Sequence, residues 1–196
     1  MTVALGLGIG SKNIAGEWLE TFFPAPVFQP SSALVANIQE ALGLASGNIT
    51  EELSDQQLEK LCQLEELKDL AQQLKGSKSP AVIVIIDEDG KASSTPEVYL
   101  KLHLLSHRLV KPHGINLDGI FGLLPNVAWT NKGPIDLSEL PARQLQARVA
   151  GELLEVKSVD KFPQMTDYVV PVGVRIADTA RVRLGAYIGE GTTIMH

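Results

Sequence analysis

Apolar and polar residues alternate in three different rhythms along the chain. The first run, residues 3–9 (VALGLGI), predicts a glycine-rich strand. Ser31 and Ser32 then precede ALVANIQEALGL, with apolar residues at 34, 35, 38, 42 and 44, a spacing that predicts a serine-capped helix. Residues 50–75 are rich in Glu, Gln, Leu and Lys and predict one or two helices, with Ser54-Asp55-Gln56-Gln57 as a restart. Gly76-Ser77-Lys78-Ser79-Pro80 predicts a turn. AVIVIIDED (81–89) is too short and too β-branched for a helix and predicts a buried strand.

A further helix is expected with Thr95 as cap, Pro96 at its first position and Glu97 in its first turn. It should reach about Val110, with Val98, Leu102, Leu105 and Leu109 on one apolar face. Residues 115–135 alternate loop and short strand, around Ile120-Phe121 and Val127-Ala128-Trp129. Residues 137–150 are helical from about Pro141, and 153–159 (LLEVKSV) read as a strand. The first 160 residues are therefore expected to form a mixed α/β domain, whose topology the pattern leaves open.

From Val170 the period becomes six. Val170, Ile176, Val182, Ile188 and Ile194 open successive hexads, and Val174, Ala180, Ala186 and Thr192 hold the fifth position. A period of six predicts short flat strands joined at corners, three hexads to each turn of a left-handed parallel β-helix. The opening aliphatic residue should point inward, and the small residue should sit beside it. The expected layout is an α/β N-terminal domain over 1–165 followed by the first coils of a β-helix over 166–196. Repeat stacks need roughly three units to bury a core, so one and a half coils read as a truncated helix and the chain as an N-terminal portion.

Composition narrows the function classes. The net charge of −6, with scattered basic residues, argues against nucleic acid as a partner. The longest loose basic cluster is Arg108, Lys111 and His113. No apolar run reaches the roughly 18 residues needed to span a bilayer, so no membrane partner is expected. Met1–Gly10 is apolar but has no basic flank and no cleavage-like site, unlike a signal peptide. A single cysteine, Cys62, excludes an internal disulfide, fits a cytoplasmic location, and is expected in the core of its helix.

Several motifs invite a chemical reading. Gly6-Leu-Gly-Ile-Gly-Ser-Lys12 hints at a phosphate loop, but Ser11 stands where both nucleotide motifs need glycine, so a structural strand is expected. His103 and His107 lie four apart on one helix and have the spacing of a metal pair, with His113 or a carboxylate as third ligand; an ordinary histidine pair is the plainer reading. Arg181 and Arg183 flank Val182 and should point outward, to bind a substrate carboxylate or to meet solvent or a neighbouring subunit. Asp160, Asp167 and Asp178 stand at the entry to the hexads.

Three segments are more specific than any hexad: YLKLHLLSHRLVKPHGINLDGIFGLLPNVAWTNKGP (99–134), LLEVKSVDKFPQMTDYVVP (153–171) and GVRIADTARVRLGAYIGEGTTIMH (173–196). Through them the chain resembles the tetrahydrodipicolinate N-succinyltransferases of the longer bacterial subgroup, from about residue 93 and more weakly before it. The resemblance implies transfer of succinyl from succinyl-CoA to the amino group of tetrahydrodipicolinate (L-2-amino-6-oxopimelate), in diaminopimelate and lysine biosynthesis. It implies a homotrimer with active sites between neighbouring β-helices and no tightly bound cofactor. A divalent cation, magnesium, is expected at the trimer axis, where equivalent carboxylates meet; its ligands are unassigned. Family members continue past Met195-His196 with a glutamate proposed as catalytic. No catalytic residue is therefore expected in this chain, which by itself should be inactive, and His196 is expected to line the substrate site. Two other classes stay open: a non-catalytic oligomerisation or interaction module, and a metal-dependent hexapeptide-repeat hydrolase, which would need several histidines on the coils.

Overall fold

The computed structural model describes residues 2–195. The elements begin with β1 (Ala4–Lys12), β2 (Trp18–Phe22), β3 (Val27–Phe28), α1 (Ser32–Leu42) and β4 (Ile49–Leu53). Next come α2 (Asp55–Leu61), α3 (Lys68–Leu74), β5 (Ala81–Ile86), α4 (Thr95–Ser106) and α5 (Ile120–Leu123). The chain ends with β6 (Val127–Thr130), β7 (Gly133–Asp136), α6 (Leu140–Val149), β8 (Val156–Asp160), β9 (Arg175–Ile176) and β10 (Thr193–Ile194).

The main sheet runs β2-β1-β5-β4 with β3 also on β1, and every pairing is antiparallel. β5 is its spine: all six side chains are buried, because both faces are covered. Val82, Val84 and Ile86 enter one core, and Ala81, Ile83 and Ile85 the other. α1, α2 and α3 supply Leu34, Ile38, Leu58, Leu61 and Leu74 to the second core. α4 supplies Val98, Leu100, Leu102 and Leu105 to the first. The result is a sheet between two helical layers. On β1, glycine is what lets the neighbours close in: a Cβ on Gly6 would meet Phe23 at 2.7 Å and Leu100 at 2.8 Å, and one on Gly8 would meet the Phe22 carbonyl oxygen at 2.2 Å.

Local signals place several elements well. Ser31 caps α1, and Ser54 with Gln57 forms a reciprocal capping box on α2. Other expectations are corrected. Residues 49–53 form a strand, not a helix: pairing Ile49–Leu53 along Ile85–Ala81 outweighs the helix propensity of Glu51 and Glu52. The α4 cap is Ser94, not Thr95, and the helix stops at Ser106. Nor is α4 amphipathic, since every residue from Pro96 to Ser106 is buried, while Leu109 is 42% exposed. Ile120-Phe121 opens a one-turn helix instead of a strand. β2, β3 and β7 carry too few alternating residues to announce themselves.

A second sheet, β7-β6-β8, is antiparallel, and β6 is buried throughout. α6 beside it buries no residue fully. In the C-terminal segment, β9 and β10 pair in parallel, Arg175 with Thr193 and Ile176 with Ile194. Each pair is separated by 18 residues, three six-residue units. Val182 and Ile188 are buried, and Ile176 and Ile194 pack partly buried against the main core. The inward rule fails at Val170, which is 72% exposed because it precedes the first pairing, and Ala180 is exposed in a 3₁₀ turn, Thr179–Arg181.

Candidate functional site

The C-terminal segment meets the domain at the end of α4. Ser106 Oγ accepts the Gly185 N–H at 2.9 Å and donates to the Ala186 carbonyl at 3.2 Å. Gly185 has φ +99 and lies against Leu102, which a Cβ there would meet at 2.6 Å. Arg108 leaves the helix in the left-handed region, φ +62. Its Nε donates to the Ile188 carbonyl at 2.6 Å and its Nη2 to the Val172 carbonyl at 2.9 Å. One guanidinium thus satisfies two backbone oxygens in different parts of the segment.

Lys101, five residues before Ser106 in α4, is fully buried. Its Nζ donates to Asp89 Oδ1 at 3.0 Å, the Gly90 carbonyl at 2.6 Å and the Asn116 carbonyl at 2.9 Å. Asp89 Oδ2 accepts the Asn116 N–H at 2.8 Å. Three donors meeting three acceptors is what makes a buried ammonium tolerable. The loop so anchored borders a cleft of about 760 Å³, lined among others by His113, Asn116, Asp118, Gly185 and Tyr187.

The histidine pair does not form a metal site. His103 Nδ1 meets the Tyr99 carbonyl at 2.7 Å and its Nε2 faces the Phe23 N–H at 3.3 Å. A carbonyl only accepts and an amide N–H only donates, so the ring is the neutral Nδ1–H tautomer with both nitrogens engaged. Phe23 lies between β2 and β3, where Pro24 and Pro26 interrupt the edge, and His103 receives the stranded amide. Burial pushes the His103 imidazole down to about 4, and the neighbouring His107 contributes in the same direction, against the Tyr99 hydrogen bond. The two rings stack at 6.1 Å, and His107 Nε2 is buried without a partner among the described residues. His113 lies in the exposed loop.

The remaining sequence candidates are placed as follows. Arg181 Nε pairs with Asp178 at 3.3 Å on an exposed turn, its side chain 64% exposed. Arg183 Nε pairs with Asp160 at 3.0 Å, and its Nη1 donates to the Ala180 carbonyl at 2.7 Å. Asp160 and Asp178 are thus arginine partners, and Asp167 is exposed. Among the described residues, no group of three metal-binding side chains occurs. His196 lies outside the described residues. The Gly6–Lys12 run is strand β1, with Lys12 paired to Glu52 and 4.5 Å over the Trp18 ring. Cys62 ends α2 and is half-buried beside the second core, not inside it. Sequence reasoning missed Ser106, Lys101 and the individual part of Arg108. Only Arg108 had a signal, its place in the basic cluster.

As a class, this is an α/β protein whose buried central helix carries a hexad-spaced C-terminal segment. Two family models match it: the tetrahydrodipicolinate N-succinyltransferase N-terminal region over residues 32–122 and the middle region over 124–164. The chain belongs to the tetrahydrodipicolinate N-succinyltransferase family.

The 2,3,4,5-tetrahydropyridine-2,6-dicarboxylate N-succinyltransferase of Pseudomonas putida is 60% identical over 98% of this chain and 58% of its own length. The Vibrio cholerae protein of the same name is 53% identical over the same shares. The chain thus spans 58% of the length of these curated relatives. A Campylobacter jejuni crystal structure, named for a 2,3,4,5-tetrahydropyridine-2-carboxylate N-succinyltransferase, superposes with a TM-score of 0.89 at 27% identity, over 99% of this chain and 56% of that one.

Proposed function

We propose that the whole protein moves succinyl from succinyl-CoA to the amino group of tetrahydrodipicolinate, in its opened form L-2-amino-6-oxopimelate, within diaminopimelate and lysine biosynthesis. The observation that carries this is the 60% identity, across 98% of the chain, to the Pseudomonas putida enzyme of that name. In the reaction the neutral amine attacks the thioester carbonyl carbon, the tetrahedral intermediate collapses, and the C–S bond breaks. The amine's proton leaves to a base, and the thiolate is protonated to free CoA. A base and an oxyanion donor are required. The base is the family glutamate expected after His196.

Within this chain, Arg181, Arg183 and His196 are proposed to touch substrate. Arg181 is the readiest to bind a carboxylate, because its guanidinium is largely exposed and holds Asp178 only at the surface. Arg183 would first have to leave Asp160. The hexads are proposed to begin a left-handed β-helix, with the domains divided as 1–165 and 166–196. The 18-residue parallel register and the buried Val182 and Ile188 support that reading. A homotrimer, a divalent cation at its axis and a cytoplasmic location complete it; the lone Cys62 is in keeping with a reducing compartment. A second reading, an interaction module, draws on the exposure of Leu145 and Val149 on α6 and of Leu153 just after it.

Thiol release from succinyl-CoA with and without the acceptor tests the assignment. The whole protein should release CoA only when the acceptor is present, and residues 1–196 alone should release none. Acceptor-independent release, or none at all from a folded whole protein, overturns the substrate assignment. The second case favours the module.

A further inference from the structure

Apart from any part in acyl transfer, two carboxyl groups, Glu20 and Glu97, are buried without an ion pair among the described residues; Glu97 is held locally by Ser93, whereas Glu20 is bonded across the fold. Glu20 is 7% exposed, and no ion pair reaches it among the described residues. Each of its oxygens is met by a hydroxyl instead. Ser11 Oγ, from β1, donates to Oε1 at 2.7 Å, and Tyr168 Oη donates to Oε2 at 3.0 Å. Tyr168 follows the 3₁₀ turn Met165–Asp167, which leads into the hexads. The second bond therefore joins the edge of the N-terminal sheet to the C-terminal segment, 148 residues away.

Among the described residues, no cation pairs with Glu20. From α4 and its C-cap come Tyr99, whose hydroxyl is buried without a partner among the described residues, and the stacked pair His103 and His107. His103 is neutral, with both nitrogens engaged. The turn adds Asp167 beside Tyr168. β7, which packs on β2, adds Asp136, held by Asn13 and Ser138. His103, Asp136 and Asp167 thus bring no positive charge, burial lowers the His107 imidazole, and burial raises the Glu20 carboxyl against the two hydroxyl bonds. Hydroxyls both donate and accept, so the same geometry accommodates Glu20 with or without its proton.

We propose that Glu20 and Tyr168 form a proton-controlled latch that holds the C-terminal segment against the edge of the main sheet. The closed latch is the neutral carboxyl. Ionisation leaves an unpaired charge in the core, which is relieved when water enters between β2 and Tyr168. The sign follows from the direction of the shift: a carboxyl raised in the folded state stabilises it at low pH, and that contribution is lost as pH rises through the folded value.

Hydrogen exchange on the full chain over a pH series that rises from about 4.5, the ordinary carboxyl value, corrected for intrinsic rates and referenced to β5, tests the latch. Amides of residues 163–184 should lose about tenfold in protection as pH rises, the size of one hydrogen bond. Glu20→Gln, which keeps an acceptor without the charge, should keep them protected at every pH. Tyr168→Phe should lower their protection about tenfold at the low-pH end of the series. Ser11→Ala, a milder change that removes a donor from the anion, should move the transition to higher pH. The latch is overturned if Glu20→Gln keeps the original pH dependence, if Tyr168→Phe leaves residues 163–184 unchanged, or if Ser11→Ala leaves the transition in place.

Discussion

The hydroxyl of Ser106 and the backbone of Gly185 meet at 2.9 Å, and the same hydroxyl goes on to the Ala186 carbonyl. A side chain at the last turn of a helix therefore serves two backbone groups of the hexad-spaced segment. Ser106→Ala would leave an N–H and a C=O without their partner at a buried joint. The expected cost is about 1–3 kcal/mol in urea unfolding, with little change in slope. A cost near zero would mean that water replaces the hydroxyl and that the contact holds nothing.

Lys101 and Asp89 should respond unequally to removal. Asp89→Asn takes away the countercharge but leaves the ammonium buried, at a cost of about 3–5 kcal/mol. Lys101→Met fills the same space without charge and should cost less, although it frees the carbonyls of Gly90 and Asn116. Thermal or urea unfolding of the two variants gives the order, and the reverse order would show that the lysine's three hydrogen bonds outweigh its charge.

His103 predicts an acid limit to stability. Its imidazole is held at about 4 in the folded chain, against an ordinary value of 6.5. The unfolded chain therefore takes up the proton first, and stability falls as pH drops from about 6.5 towards 4. Fully expressed, the difference is about 3 kcal/mol. His103→Gln should flatten the urea midpoint across that interval, at some cost near neutrality. An unchanged slope would assign the acid sensitivity to other groups. Glu20 runs the opposite way, so the double variant with Glu20→Gln separates the two contributions.

What was legible in the sequence was local. The capping box of Ser54 and Gln57 spans four residues, and the buried run of β5 needs no partner to be recognised. The period of six was equally visible, and its 18-residue register appears in the pairing of β9 with β10. β4 was misread because its partner lies some thirty residues away, whereas its glutamates advertise a helix. α4 was expected to have a wet face, but the C-terminal segment covers it through Ser106 and Arg108. The same distance hid the site: Lys101 acquires its meaning from Asp89 and Asn116, which come from separate loops. Arg181 is exposed and Arg183 half-buried, and the carboxylates they hold were not foreseen as their partners.

The parallel pairing of Ile176 with Ile194 also constrains how this part of the gene can change in length. Gaining or losing a single codon between them would rotate each later side chain out of its place and misalign the ladder at once. Losing or gaining a full eighteen residues keeps the spacing in phase. Changes of length between these residues are therefore expected to come in multiples of that spacing or as loops that leave the pairing undisturbed.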